Sequence, residues 1–356
     1  MRFRNCFALS ALAAAIVMTH FIDAQAADQT PPEGKQIRVG IIGLDTSHVA
    51  AFTAAINKPD ARPELRTLRI VAAFPGGSPD LPTSWDRVKG FTETVQKQGV
   101  EIVDSIDALL PKVDAVLLES VDGRPHLEQV KPVIRAHKPV FIDKPVAASL
   151  ADTLEIFRLA KEAGVPCFSS SSLRFSPEVL AMRTNPPVGQ VLGCDTYSPC
   201  SLDKTVPDLF WYGIHGVEMM YTIMQPGCVS VTRVHSPDTD LATGTWKDGR
   251  VATYRGLRAS PKQYGAMVFG TKANMHLPQP EGGKQPASVK VSYEPMLVEI
   301  AKFFETGKPP VSADETIEIV AFMEAADESK RLGGAPVTLA SMLERARTQN
   351  AQRSSQ

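Results

Sequence analysis

Ile37-Arg38-Val39-Gly40-Ile41-Ile42-Gly43-Leu44-Asp45-Thr46-Ser47-His48 is the stretch on which the fold turns. IRVGIIG is a continuous apolar run ending in glycine, the pattern of a parallel strand covered on both faces. LDTSH turns the chain, and alanine-rich VAAFTAAIN reads as the packed helix that follows. The motif is therefore strand, tight bend, helix.

Outward from it the same alternation repeats. LRIVAAF is a second buried strand, followed by the loop PGGSPDLP, where glycine and proline end any regular element. WDRVKGFTETVQKQ predicts a helix, VEIV a short strand, and SIDALL a small helix opened by Ser105. VDAVLLES predicts a central strand, RPHLEQVKPVIRAHK its crossover helix, and PVFIDKP the next strand. LADTLEIFRLAKEAG, capped by Ser149, and VPCFSS close the series. Strands alternating with helices imply a Rossmann-like parallel sheet with helices on both faces, over residues 37–170.

The pattern changes after this. VLGCDTYSP, CVSVTRVHS, TGTWKD with GRVATYRG, and YGAMVFGTKANMHL read as antiparallel strands, with Asp248-Gly249 suited to a hairpin turn. GIHGVEMMYTIM, MLVEIAKFFETG and TIEIVAFMEAADESKRLGG read as helices. Residues 171–345 are thus expected to form an α+β domain with an open, mostly antiparallel sheet. Residues 346–356 read as a fraying tail.

Before residue 37 the signals concern export. MRFRN is a basic head, FALSALAAAIVM an apolar run, and Ala24-Gln25-Ala26 a small-x-small cleavage pattern, so residues 1–27 are expected to be a signal peptide and 28–36 a polar leader. The run is too short to span comfortably, and Asp23 follows rather than a basic stop. A periplasmic or secreted protein is the expectation, with no membrane association after processing. Four cysteines would survive cleavage, Cys167, Cys194, Cys200 and Cys228, which permits up to two disulfides in three pairings. The formal net charge of −1 and the absence of a basic stripe exclude nucleic acid on electrostatic grounds.

The opening bend is where a dinucleotide fold binds pyrophosphate, on bare backbone at a helix N-terminus. Here the glycine pattern starts at Gly43 but meets Asp45 at its second position and His48 at its third. Asp45 adds negative charge and His48 adds bulk. The second strand lacks the usual acid for an adenine ribose, since Phe74-Pro75-Gly76-Gly77-Ser78 follows it. Asp45, Thr46 or Ser47 would serve as helix cap. Alternatively, Asp45 and His48 face the cleft and bind a hydroxyl or a metal, although two ligands do not make a metal site.

A second cluster, Asp143-Lys144-Pro145, ends the fifth strand on the edge where such folds bind ligands. Lys144 offers a positive donor to a hydroxyl, carbonyl or oxyanion; the alternative is a structural ion pair. His215 and Glu218 share a helix face, so the carboxylate would orient or charge the ring.

At these residues the sequence resembles the glucose-fructose oxidoreductase / inositol dehydrogenase / rhizopine-catabolism (Gfo/Idh/MocA) family. The resemblance rests on VGIIG, VDAVLLES with RPH, DKP, LRFSP, GIHGVE and the final helices, in that order. It implies oxidation or reduction of a sugar or polyol with NAD or NADP, and homo-oligomers built on the open sheet. By position it implies that Lys144 contacts substrate and cofactor, with Asp143 replacing the family's glutamate, and that His215 is the catalytic-region histidine. It implies binding roles for Arg174 and His126. Departures are Trp211 at the first aspartate of DxGxHxxD, Glu218 at its last, and Ser120-Val121-Asp122-Gly123-Arg124-Pro125-His126 in place of ATPNxxH. Trp211 and Tyr212 supply flat surface for a sugar ring.

Three readings remain open at this level. The first is an NAD(P)-dependent oxidoreductase with Lys144 polarising oxygen and His215 moving the proton. In the second, a non-redox lyase, hydrolase or epimerase uses Lys144 with His215 and Glu218, and Asp45, His48, Asp122 and His126 cooperate or hold a metal. The third is a non-catalytic carbohydrate-binding protein.

Overall fold

A computed structural model describes residues 36–280, 284 and 287–354. The expected signal peptide and nearly all of the polar leader lie outside the described residues.

Six strands form the first sheet: β1 (Ile37–Ile42), β2 (Leu68–Phe74), β3 (Glu101–Ile102), β4 (Ala115–Leu118), β5 (Val140–Asp143) and β6 (Cys167–Ser170). They are parallel throughout, in the order β3-β2-β1-β4-β5-β6. The strand order reverses between β1 and β4, which leaves a crevice at their carboxyl ends. The connecting helices are α1 (Ser47–Asn57), α2 (Pro82–Lys97), α3 (Ile106–Leu109), α4 (His126–Arg135) and α5 (Leu150–Glu162).

Period-two alternation explains why the central strands are largely apolar. Val39 and Ile41 of β1, Leu117 of β4 and Phe141 of β5 enter one core, with Val49 and Phe52 of α1. Ile42, Val116, Leu118 and Ile142 point the other way, onto Val130 of α4 and Ile156 of α5. The central strands serve two cores, so polar residues fall at their ends, as Arg38 and Asp143 do. Ser105 and Ser149 cap α3 and α5 as expected, accepting from Ala108 N and Asp152 N at 3.0 Å.

After α6 (Pro177–Thr184), the second sheet has seven strands: β7 (Val191–Pro199), β8 (Cys228–His235), β9 (Thr239–Trp246), β10 (Val251–Leu257), β11 (Gly265–Gly270), β12 (Asn274–Leu277) and β13 (Val337–Thr338). Their order is β12-β11-β7-β10-β9-β8-β13, antiparallel except for the β7–β10 pair. α7 (Ile214–Met224) and α9 (Ala313–Arg331) pack on this sheet.

Two late helices return to the first sheet. α8 (Glu294–Thr306) inserts Met296, Leu297 and Phe303 into the core beneath α1, and Phe303 meets Phe168 edge-on at 4.8 Å. α10 (Leu339–Ser354) continues through the segment expected to fray, because Asn350 Nδ2 donates to Ala151 O at 2.8 Å and Arg353 pairs with Asp152 at the start of α5. None of the disulfides that the sequence permits is formed among the described residues. Cys167, Cys194, Cys200 and Cys228 are buried free thiols, and burial pushes Cys167 and Cys228 up to about 12. Among the described residues no helix is long and apolar enough to cross a membrane.

Candidate active site

A cleft of about 490 Å³ opens at the carboxyl ends of β4 and β5. Thr46, Ser47 and His48 from the start of α1 and Arg87 from α2 line one side. Lys144 follows β5 on its floor. Trp211, Tyr212, His215, Tyr264 and Tyr293 complete the opposite wall.

The bend after β1 resolves the difficulty its sequence posed. Gly43 adopts φ +89°, and an ideal Cβ there would lie 2.5 Å from Ser120 N. Only glycine lets β1 and the end of β4 approach this closely. Asp45, fully buried, turns away from the cleft: Ser84 Oγ donates to it at 2.6 Å and Val121 N at 2.9 Å. Burial raises its pKa, opposed by those two bonds. The carboxylate thus ties the first bend to α2 and to the loop after β4 rather than projecting its charge at a ligand. Thr46 is the cap of α1, accepting from His48 N at 3.4 Å. Ser78 Oγ donates to Asp122 at 2.6 Å, and Arg124 bridges Asp122 and Asp80. These bonds lash the loops after β2 and β4 together.

His48 stacks on Phe52 at 5.4 Å and meets Tyr293 edge-on at 4.7 Å. Its Nδ1 lies 2.8 Å from Asp143 and 3.9 Å from Glu119, the residue after β4. Glu119 is completely buried. Burial first, then the neighbouring Asp143, pushes its pKa well up, whereas at Asp143 the effect of burial is outweighed by His48 and Lys144 and the carboxyl falls below its ordinary range.

On the opposite wall, His215 Nδ1 sits 2.8 Å from Ser171 Oγ. Burial, then the positive charge of Lys144, holds the ring's pKa well below 6.5. Glu218 does not touch the imidazole. It accepts from Ser170 Oγ, from Ser171 N at 2.8 Å and from Arg174 Nε at 2.8 Å, so it steadies the residue that steadies His215. The π-helical turn Leu209–Gly213 before α7 brings Trp211 and Tyr212 to the cleft beside His215.

Six expected site residues lie outside the cleft lining: Gly43, Asp45 and Asp143, described above, and Glu218, Arg174 and His126. Arg174, 3 % exposed, is held between Glu218 and Glu315, the latter at 2.7 Å. His126, fully buried, has its two ring nitrogens 3.2 Å from Val146 O and 2.8 Å from Ser120 O, so it buttresses the loops. Conversely, Glu119, Arg87, Ser171, Tyr264 and Tyr293 join the site without having been singled out in the sequence. Glu119 left a visible trace, an acid at the end of a buried apolar run. Tyr293 left none, since only the return of α8 brings it near.

A family model described as an oxidoreductase family with an NAD-binding Rossmann fold matches residues 37–171. The first domain is thus similar to the NAD-binding domain of the Gfo/Idh/MocA oxidoreductases. It is 30% identical over 139 residues to a dTDP-3,4-didehydro-2,6-dideoxy-alpha-D-glucose 3-reductase of Actinomadura kijaniata, covering 38% of this chain and 37% of that one. It is 40% identical over 83 residues to a 1,5-anhydro-D-fructose reductase of Ensifer adhaerens, covering 23% and 25%. The matches thus span well under half the length of either relative. Scyllo-inositol dehydrogenase from Lactobacillus casei, solved with NAD(H) and scyllo-inositol, has the same fold, with a TM-score of 0.67 at 15% identity over 86% of this chain and 100% of that one. So does myo-inositol dehydrogenase of the same organism, solved with NAD(H) and myo-inositol, with a TM-score of 0.65 at 18% identity over 85% and 96%.

Proposed function

We propose that this chain is an exported NAD(P)-dependent oxidoreductase of the Gfo/Idh/MocA family, acting on a hydroxyl or keto group of a sugar or polyol. The observation that carries it is that Lys144 and a neutral-held His215 line one cleft, in a chain whose relatives act on or bind such compounds. The cofactor fits the residues present. Thr46 and Ser47 open the N-terminus of α1 onto the cleft, and the Arg87 guanidinium beside them keeps buried Nε and Nη2 atoms without partners. Helix N–H groups and an unengaged guanidinium suit a pyrophosphate.

When bound, NAD(P) accepts or supplies the hydride. The remaining work is the protein's own. Lys144 Nζ donates to the substrate oxygen and stabilises charge developing there. In the oxidation direction His215 takes the hydroxyl proton at Nε2, while Nδ1–H donates to Ser171 Oγ and fixes the ring. Trp211 and Tyr212 give a flat wall for a sugar ring. Export and self-association through the second sheet belong to the same proposal; amino-terminal sequencing and sedimentation of the recovered protein test them.

The deciding experiment is a fluorescence titration of the purified chain with NADH and NADPH, followed by turnover on a polyol and saccharide panel. Saturable binding is expected, with kcat/KM falling by roughly 10²–10³-fold in Lys144→Met. Absence of binding by either nucleotide overturns the proposal.

A further inference from the structure

We infer that His48, Glu119 and Asp143 form a site for one divalent transition-metal cation, Zn²⁺ being the representative, at the floor of the cleft. One ligand atom from each residue lies within 4.8 Å of the others, and all three residues are buried. They come from three separate elements, the start of α1 and the ends of β4 and β5, so the cluster is assembled by the fold.

Unsatisfied bonding capacity is the second, independent observation. Both oxygens of fully buried Glu119 lack hydrogen-bond partners, and the nearest imidazole nitrogen, His48 Nδ1, stays 3.9 Å away. Neighbouring residues satisfy the other carboxylates around the cleft: Asp45 by Ser84 and Val121, Asp122 by Ser78 and Arg124, Asp203 by Thr205, Glu218 by Ser170, Ser171 and Arg174. His48 Nδ1 and Asp143 Oδ2 are paired at 2.8 Å, which holds two donor atoms beside the unpartnered Glu119 carboxylate. Ligand bonds of about 2.0–2.2 Å put adjacent donors about 3.0–3.4 Å apart in octahedral or tetrahedral sites. The observed 2.8 and 3.9 Å bracket that spacing. Two carboxylates and one imidazole balance a doubly charged ion and suit zinc, manganese or iron better than calcium, which prefers oxygen alone. Three protein ligands leave a position for water or a substrate oxygen, and His48 and the adjacent Lys144 line the cleft.

The test uses the full chain freed of metal by chelation, with Zn²⁺ and Co²⁺ as probes. One Zn²⁺ per chain is expected by calorimetry, with a Kd on the order of 1 µM or tighter. Co²⁺ should give a visible ligand-field band. Glu119→Gln, nearly isosteric, should weaken Zn²⁺ by roughly 100-fold and abolish the band, as should His48→Gln. Circular dichroism establishes that each variant is folded. If either variant fails to fold, the wild-type stoichiometry and the Co²⁺ band carry the decision. Substoichiometric zinc in the wild type, or unchanged zinc affinity in a folded variant, overturns the site; Glu119 is then a buried protonated acid. Nucleotide binding is measured separately, so zinc without nucleotide sinks the proposed oxidoreductase and leaves this site standing.

Discussion

Arg174→Met separates a structural role from a substrate-binding one. Arg174 Nε lies 2.8 Å from Glu218 and Nη1 2.7 Å from Glu315, with every group about 95 % or more buried. Methionine keeps most of the volume and removes the charge. Breaking a buried pair from one side costs about 3–5 kcal/mol, because the partner is left uncompensated. The lower end applies here: Glu315 keeps Arg183 at 2.8 Å, and Glu218 keeps Ser170 and Ser171. About 3 kcal/mol at about 2 °C per kcal/mol for a chain of this size gives a loss of roughly 6 °C in Tm. The loss should depend on pH. Burial already raises Glu218, and without Arg174 its folded pKa rises further above the unfolded value, so protonation relieves the variant at low pH. Stability then falls as pH rises from about 4.5 through the raised folded pKa, making the deficit larger at pH 8 than at pH 5. Differential scanning calorimetry at both pH values reads the effect. An unchanged Tm with a raised KM would refute the reasoning and return Arg174 to the substrate.

Two further outcomes follow from the cleft. Because burial and Lys144 hold His215 neutral well below pH 6.5, kcat/KM should stay level as pH drops through 6.5 and fall only beyond it, and Lys144→Met should shift that fall upward; a wild-type fall centred at 6.5 counts against the assignment. Gly43→Ala forces a Cβ against Ser120 at φ +89° and should cost about 1–3 kcal/mol, read as a lower urea midpoint; an unaltered midpoint would mean the bend is looser than its geometry.

The first sheet was legible because its central strands serve two cores. The resulting apolar runs, punctuated by Ser105, Ser149 and the glycines, can be read without knowing the partners. The second sheet was legible as strands but not in its order, since the parallel β7–β10 pairing depends on long-range packing. Site residues divide the same way. Lys144 and His215 stand at element ends whose position follows from the topology, and both reach the cleft. Arg174 and Glu218 carry charges that suit a ligand equally well as they suit each other, and periodicity cannot distinguish the two. The three-residue spacing of His215 and Glu218 predicted contact, but Ser171, from a different strand end, intervenes.

The bend after β1 shows how substitutions in a glycine pattern can be compatible with one another. Asp45 and His48 each look obstructive when the pattern is read alone. Asp45 finds two donors, one on α2 and one after β4, and therefore fixes the loops that border the cleft. His48 finds room because Phe52 and Tyr293 flank its ring, and its Nδ1 then faces two acids. Asp143 stands where the family that the sequence resembles has a glutamate, and Glu119 is a second buried acid beside it. An isolated carboxyl buried at the end of an apolar strand costs several kcal/mol, and β4 would be more stable with alanine there. A chain that retains both Glu119 and His48, facing each other across the strand ends, carries a cost that neither residue offsets alone; a shared cation offsets it for both at once.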